Sequence, residues 1–283
     1  MTRTRVLLAT LAGLLLTLGS FAPAWSVPTC QGLAATIVGN DNSETLSGTA
    51  GDDVIVARGG ADVIDAKGGN DVICAGEGED TVSGRAGSDR ILGGPGNDTL
   101  TGHTGEDILI GNDGIDQLFG GDSGDTLTGS VDNDEIYGGP GSDFVRYSTS
   151  PAAVVVDLTA MTATGDGSDS LSEVEGVFGS SKADRLIGDP ANNFFVAGSG
   201  DDTIVGGGGN DSINGGEGQD IADYSTSPNA VTINLEAKTA TGDGSDTFVS
   251  IETAVGSQLS DRIYGSNGAD TLRGGSGNDR LVG

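Results

Sequence analysis

A period of nine residues governs this chain. From Gly39 it divides into twelve consecutive nonapeptides without an insertion, ending at Arg146. Five more run from Gly179 to Asp223 and three from Gly256 to Val282. Gly93-Gly94-Pro95-Gly96-Asn97-Asp98-Thr99-Leu100-Thr101 is a complete unit. Self-similarity at a fixed short period marks a solenoid, in which each unit packs on its neighbours alone.

Two positions keep phase throughout. Position six reads Glu44, Asp53, Asp62, Asp71, Asp80, Asp89, Asp98, Asp107, Asp116, Asp125, Asp134 and Asp143 in the first block. It continues as Asp184, Asn193, Asp202, Asp211 and Asp220, then as Asp261, Asp270 and Asp279. Position eight is Leu, Ile, Val or Phe everywhere except Ala222. Glycines at positions one, two and four admit backbone angles closed to other residues and so mark a tight turn. The last three residues alternate as a short strand with only the middle side chain facing inward. Turn, strand, turn, strand then closes one coil in two units, and stacked coils give two parallel sheets around a thin aliphatic core. The expected fold class is all-β, a parallel β-solenoid.

Composition fits once this phase is seen. Gly accounts for 51 residues, aromatics for 4%, and 42 acidic residues against 13 Lys and Arg give a net charge of −29. Few aromatics and high charge otherwise mark disorder, but a disordered chain has no reason to hold two positions in register. The acidity argues against a nucleic-acid partner, which needs a basic surface. One histidine, His103, gives no support to a Ser-His-Asp triad.

The unit resembles the G-G-x-G-x-D-x-U-x nonapeptide of the hemolysin-type, or repeats-in-toxin (RTX), calcium-binding family. That resemblance implies a right-handed parallel β-roll with two short-stranded sheets and Ca2+ held in the turns. Position-six aspartates and turn carbonyls of one unit would combine with those stacked two units on. Carried over residue by residue, the metal ligands are the eighteen position-six aspartates above, with Glu44 weaker. Pairing units i and i+2 inside each block allows about fourteen ions, each taking six to eight oxygens.

One aliphatic per nine residues is a lean core to set against the entropy of ordering Gly-rich turns, and stacked carboxylates add repulsion. Folding is therefore expected to depend on calcium, at the millimolar affinity of extracellular modules. Position four, which wants Gly, holds Asn42, Ser123 and Asp132, and Asn193 is neutral. Weak or empty sites are expected near residues 39–47, 120–137 and 188–196.

Two interruptions, Tyr147–Phe178 and Tyr224–Val255, are each 32 residues long and align without gaps. Both open with Tyr-Ser-Thr-Ser-Pro and share Thr-Ala-Thr-Gly-Asp-Gly-Ser-Asp. Each hides a unit, Thr164–Ser172 and Thr241–Val249, with Asp169 and Asp246 at position six. The expectation is a longer coil that bulges out and re-enters the roll, with weaker calcium ligands at Asp169 and Asp246.

Arg3 and Arg5, the apolar run from Val6 to Gly19, and Ala22-Pro23-Ala24 read as a Sec-type signal peptide over 1–24, with cleavage after Ser26 as an alternative. Export places Cys30 and Cys74 in an oxidising compartment, where one disulfide is expected. No later segment is apolar enough to span a bilayer. The layout is then a cap at 25–38, blocks at 39–146, 179–223 and 256–283, and interruption modules at 147–178 and 224–255.

Outward positions seven and nine differ between the sheets. Even repeats of the first block present Val54, Val56, Val72, Cys74, Leu92, Ile108, Ile110 and Phe144, whereas odd repeats mostly present Thr, Ser, Gln and Glu. An outer apolar face of that length marks an interface. Segment 25–38 is expected to cover part of it, and a protein partner or a second copy the rest, through Val56, Leu92, Ile108 and Ile110. Function is expected to be that of a secreted, non-catalytic calcium-binding protein, structural or adhesive. The alternative is the export and folding module of a toxin or enzyme whose catalytic part lies elsewhere.

Overall fold

The computed structural model describes residues 27–283, so the signal-peptide expectation for 1–24 lies outside the described residues. The described chain is all β: 31 short strands, arranged as a two-stranded hairpin and two long sheets of 15 strands (sheet I) and 14 strands (sheet II). Successive repeats alternate between the long sheets, and the pairing inside each block is parallel with a register of two units, as in Ile55↔Ile73 and Leu100↔Leu118. The result is a parallel β-solenoid of about 14 turns.

The alternation of side chains along each strand places the core. Position-eight residues Ile55, Ile73, Ile91, Leu109 and Leu127 of sheet I face Ile64, Val82, Leu100, Leu118 and Ile136 of sheet II, all fully buried. At the C-terminal coil the shielding runs out, and Leu281 is 46% exposed.

The interruption modules differ from the bulged coil expected of them. In the first, Val155–Asp157, Thr162–Thr164 and Ser168–Ser172 form an antiparallel meander inserted in the plane of sheet II. Ser168–Ser172 pairs with the preceding repeat at Glu135–Tyr137 and Val155–Asp157 with the following one at Arg185–Ile187, while Gly176–Phe178 carries sheet I forward. Staying in plane lets every strand backbone keep a ladder partner, which a bulge would forfeit. The second module repeats the device in sheet I with Thr232–Asn234, Thr239–Thr241 and Ser245–Val249. The five units between the modules are an odd number, so the two meanders fall on opposite sheets.

At the N-terminus, Thr29–Cys30 and Leu33–Ala34 form a hairpin whose two-residue turn, Gln31-Gly32, has φ of 52° and 83°, the left-handed pair that tight hairpins require. A disulfide joins Cys30 to Cys74, with Cα atoms 5.8 Å apart. It presses the hairpin on the outer face of sheet I, against Val54–Gly59 and Val72–Glu77, and buries Cys30 fully. Ile37–Val38 already belongs to the roll, pairing with Ile55 and Val56 as the first strand of sheet I. Val56, Leu92, Ile108 and Ile110 are half-buried.

Candidate metal centre in the turns

A ladder of carboxylates runs up each edge of the roll. Inside the blocks, position-six amides donate to Oδ1 of the aspartate one coil on: Asp71 to Asp89, Asp89 to Asp107 and Asp107 to Asp125 along one edge, at 2.7–2.8 Å. Asp80, Asp98 and Asp116 do the same along the other. The ladder crosses the modules through Asp134 to Asp169 and Asp211 to Asp246. It also passes through two residues that the nine-residue phase does not reach, Glu175 above Asp143 and Glu252 above Asp220. Each glutamate stands two residues before an inward Val177 or Ala254, the same offset that separates positions six and eight.

What the second carboxylate oxygen meets divides the turns into two kinds. In thirteen of them, those of Asp62 through Asp143 together with Asp202, Asp211 and Asp220, Oδ2 is buried without any hydrogen-bond donor. Here position two is left-handed even when it is not glycine, as at Arg58, Lys67, Arg85, His103, Asn112 and Ser130, with φ between 77° and 88°. Its amide consequently points away from the acid.

In six turns the position-two amide instead donates to the position-six side chain: Asn40 to Glu44, Thr49 to Asp53, Ser180 to Asp184, Asp189 to Asn193, Ser257 to Asp261 and Ser266 to Asp270. The side-chain oxygen at position two then accepts the amide of position four, as in Ser180 with Lys182 and Ser257 with Leu259. Such local turns are the usual alternative that Ser, Thr, Asn and Asp offer a backbone. These six closed turns are the first two turns of each block, that is, its first coil.

The turns expected to be weak fall on both sides of this division. Residues 39–47 and 188–196 are closed turns, but 120–137 are open, because Ser123 and Asp132 accept left-handed φ values of 91° and 79° inside a stacked block. The turns of Asp53, Asp184, Asp261 and Asp270 are closed as well. Asp279 lies in the exposed last coil. In the modules, Asp169 and Asp246 differ again: Oδ2 accepts the buried hydroxyl of Tyr147 at 2.8 Å and of Tyr224 at 2.5 Å.

Electrostatics follow the same division. Burial raises the pKa of Asp89, Asp98, Asp125, Asp134 and Asp211 to about 7, with neighbouring acids adding to it. Asp107, Asp116, Asp143 and Asp202 rise to about 6 for the same leading reason. At Asp53, burial also pushes upward, but hydrogen bonds from Thr49 and Thr36 outweigh it and hold the group below its ordinary value.

The open turns suit a hard cation. In several open turns the bare oxygen lies over a position-one glycine, and a Cβ on Gly84 would fall 2.1 Å from Oδ2 of Asp89. Carbonyls of one coil point at the turn above, so that a Cβ on Gly96 would lie 1.8 Å from the oxygen of Gly78. Among the described residues no three Asp, Glu, His or Cys side chains converge on one point. Calcium is satisfied by carboxylates mixed with backbone carbonyls, the oxygen donors that these turns bring together.

The sequence profile of the RTX calcium-binding nonapeptide repeat matches residues 38–73, 75–109, 110–145, 177–204, 187–222 and 255–283, well over half of the chain. The protein belongs to that RTX family. RTX repeats bind calcium, and these Asp-lined turns fit it. The profile skips most of both interruptions, where the meanders replace the nonapeptide. No curated protein matches the chain.

Proposed function

We propose that this RTX protein is an exported, non-catalytic scaffold that assembles when calcium fills its open turns, with a structural or adhesive role at the cell exterior. The row of thirteen buried Oδ2 atoms without donors carries this reading. Leaving a buried polar atom unpaired costs about 1–3 kcal/mol, and more when it is charged. A cation seated between stacked turns supplies the missing partner and neutralises the repulsion at once. The ligands are Asp62, Asp71, Asp80, Asp89, Asp98, Asp107, Asp116, Asp125, Asp134, Asp143, Asp202 and Asp220, together with turn carbonyls.

Requiring both members of a stacked pair to be open lowers the expected number of ions. Eight pairs run from Asp62 with Asp80 to Asp125 with Asp143, and Asp202 with Asp220 makes nine. The six closed turns and the tyrosine-capped Asp169 and Asp246 take none. RTX repeat proteins are typically secreted, which agrees with the leader read at 1–24, and no described helix is long and apolar enough to cross a membrane.

Circular dichroism with and without chelator, followed by a calcium titration, tests this reading. β-structure should be largely lost without calcium and return cooperatively at about 0.1–1 mM. A metal-free chain that keeps its full spectrum and melts cooperatively would refute it.

A further inference from the structure

On the outer face of sheet I lies a concavity of about 530 Å3 between the hairpin tip at Gln31 and the turn at Ser148 and Thr149. Its floor is Leu92, Ile108 and Ile110, on neighbouring strands. Thr126 and Thr128 line the next strand. Two arginines stand at diagonal ends, Arg90 in the position-seven row and Arg146 in the position-nine row three strands further along. At about 4.8 Å per strand, they are about 14 Å apart along the roll.

Neither guanidinium has a carboxylate partner among the described residues, whose ion pair is Arg85 with Asp65. Arg146 is held by stacking, its guanidinium carbon 4.7 Å from the centre of the Phe178 ring. In a chain of net charge −29, two unpaired cations bordering one apolar floor are the complement of an anionic, partly aliphatic occupant.

We propose that this groove binds an extended acidic peptide segment of the form acid-x-aliphatic-x-acid, laid along the roll axis. Alternate side chains of an extended chain share one face, and four residue steps span about 13–14 Å. Arg90 and Arg146 are also offset by two residues, about 7 Å, across the strands, so acids at the first and fifth residues of a slightly oblique segment come within side-chain reach of them while the third side chain settles on Leu92, Ile108 and Ile110. The hydroxyls of Thr126 and Thr128 serve the peptide backbone. Gln31 and Thr149 bound the groove at its two ends along the roll. This inference needs only a folded roll and is independent of which turns take calcium.

Fluorescence polarisation with a labelled, amidated Glu-Thr-Leu-Thr-Glu peptide tests it, using the full chain in excess calcium. Saturable binding is expected, weakened tenfold or more by Arg90→Gln, by Arg146→Gln or by replacing both peptide glutamates with glutamine. Arg262→Gln, the same charge change elsewhere on sheet I, should leave binding unchanged, and circular dichroism checks that each variant folds. Three results would each overturn the proposal. They are no saturation up to about 1 mM peptide, equal weakening by Arg262→Gln, and binding indifferent to both groove arginines, as bridging through turn-bound calcium would give. Sedimentation showing that the chain alone dimerises through this groove would overturn it too.

Discussion

The hydroxyl of Tyr147 donates to Oδ2 of Asp169 at 2.8 Å, filling inside the fold the oxygen that Asp134, one step below in the same ladder, leaves bare. Tyr224 and Asp246 repeat the pair in the second module. Where the meander replaces a turn, a phenol thus supplies the donor that the open turns lack. Tyr147→Phe keeps the ring and strips the donor, leaving a buried oxygen unpaired at a cost of about 1–3 kcal/mol. The calcium-loaded protein should melt several degrees lower, by calorimetry, with its bound calcium unchanged. Tyr224→Phe should behave alike. An added calcium ion in either variant would show that the module can host metal after all.

Open and closed turns should respond differently to loss of the acid. Asp98 takes part in two stacked pairs, with Asp80 and with Asp116, all bare at Oδ2. Asp98→Ala should therefore remove up to two calcium ions, counted by equilibrium dialysis, and move the folding midpoint to several-fold higher calcium. Asp261 is already served by the amide and hydroxyl of Ser257. Asp261→Ala should leave the ion count unchanged and cost about 1–3 kcal/mol through the donors it orphans.

Much of this was legible in the sequence, because the nonapeptide fixes a phase for core, turn and acid together. Ile91 and Asp89 sit where their positions in the unit place them. The open or closed state of a turn was not legible from residue type alone. Asn40 and Ser180 close their turns, whereas Asn112 and Ser130 carry the same chemistry and are left-handed. The difference lies in stacking: Asn112 pairs between Gly94 and Ser130 in the middle of a block, while the closed turns open each block. The meanders escaped notice because their hidden units keep the nine-residue pattern while pairing at 35 residues, as Ile136 does with Leu171. Glu175 and Glu252 escaped for the opposite reason, lying outside the phase that identified the other acids of the ladder.

Glycine position matters as much as glycine content. Gly96 has φ of 142°, and a Cβ there would overlap the Gly78 carbonyl. Gly51 is free of positive φ and has no atom within 4 Å of the added carbon. Gly96→Ala should cost at least about 3 kcal/mol, through strain and a disrupted turn. Gly51→Ala should be neutral or stabilise by about 0.4–1 kcal/mol by restricting the unfolded chain. Calcium-dependent melting of both variants decides the matter, and a mild Gly96→Ala would show that the turns can yield.

Protons and calcium compete for the same oxygens. Burial moves Asp89, Asp98, Asp125, Asp134 and Asp211 from the ordinary 3.8 to about 7 in the metal-free roll. The folded form then holds more protons than the unfolded chain between those values, so its stability falls as pH rises through that window. Without calcium, the roll should gain β-structure on acidification from pH 7.5 towards about pH 4.5, read by circular dichroism in the presence of chelator. Calcium must displace these protons, so binding near pH 6.5 should release them and apparent affinity should weaken as pH falls. Titration calorimetry in buffers of different ionisation enthalpy measures that release. Calcium binding that takes up no buffer enthalpy at any pH between about 5 and 7.5 would mean that the bare carboxylates are already ionised. Burial would then not be what makes calcium necessary.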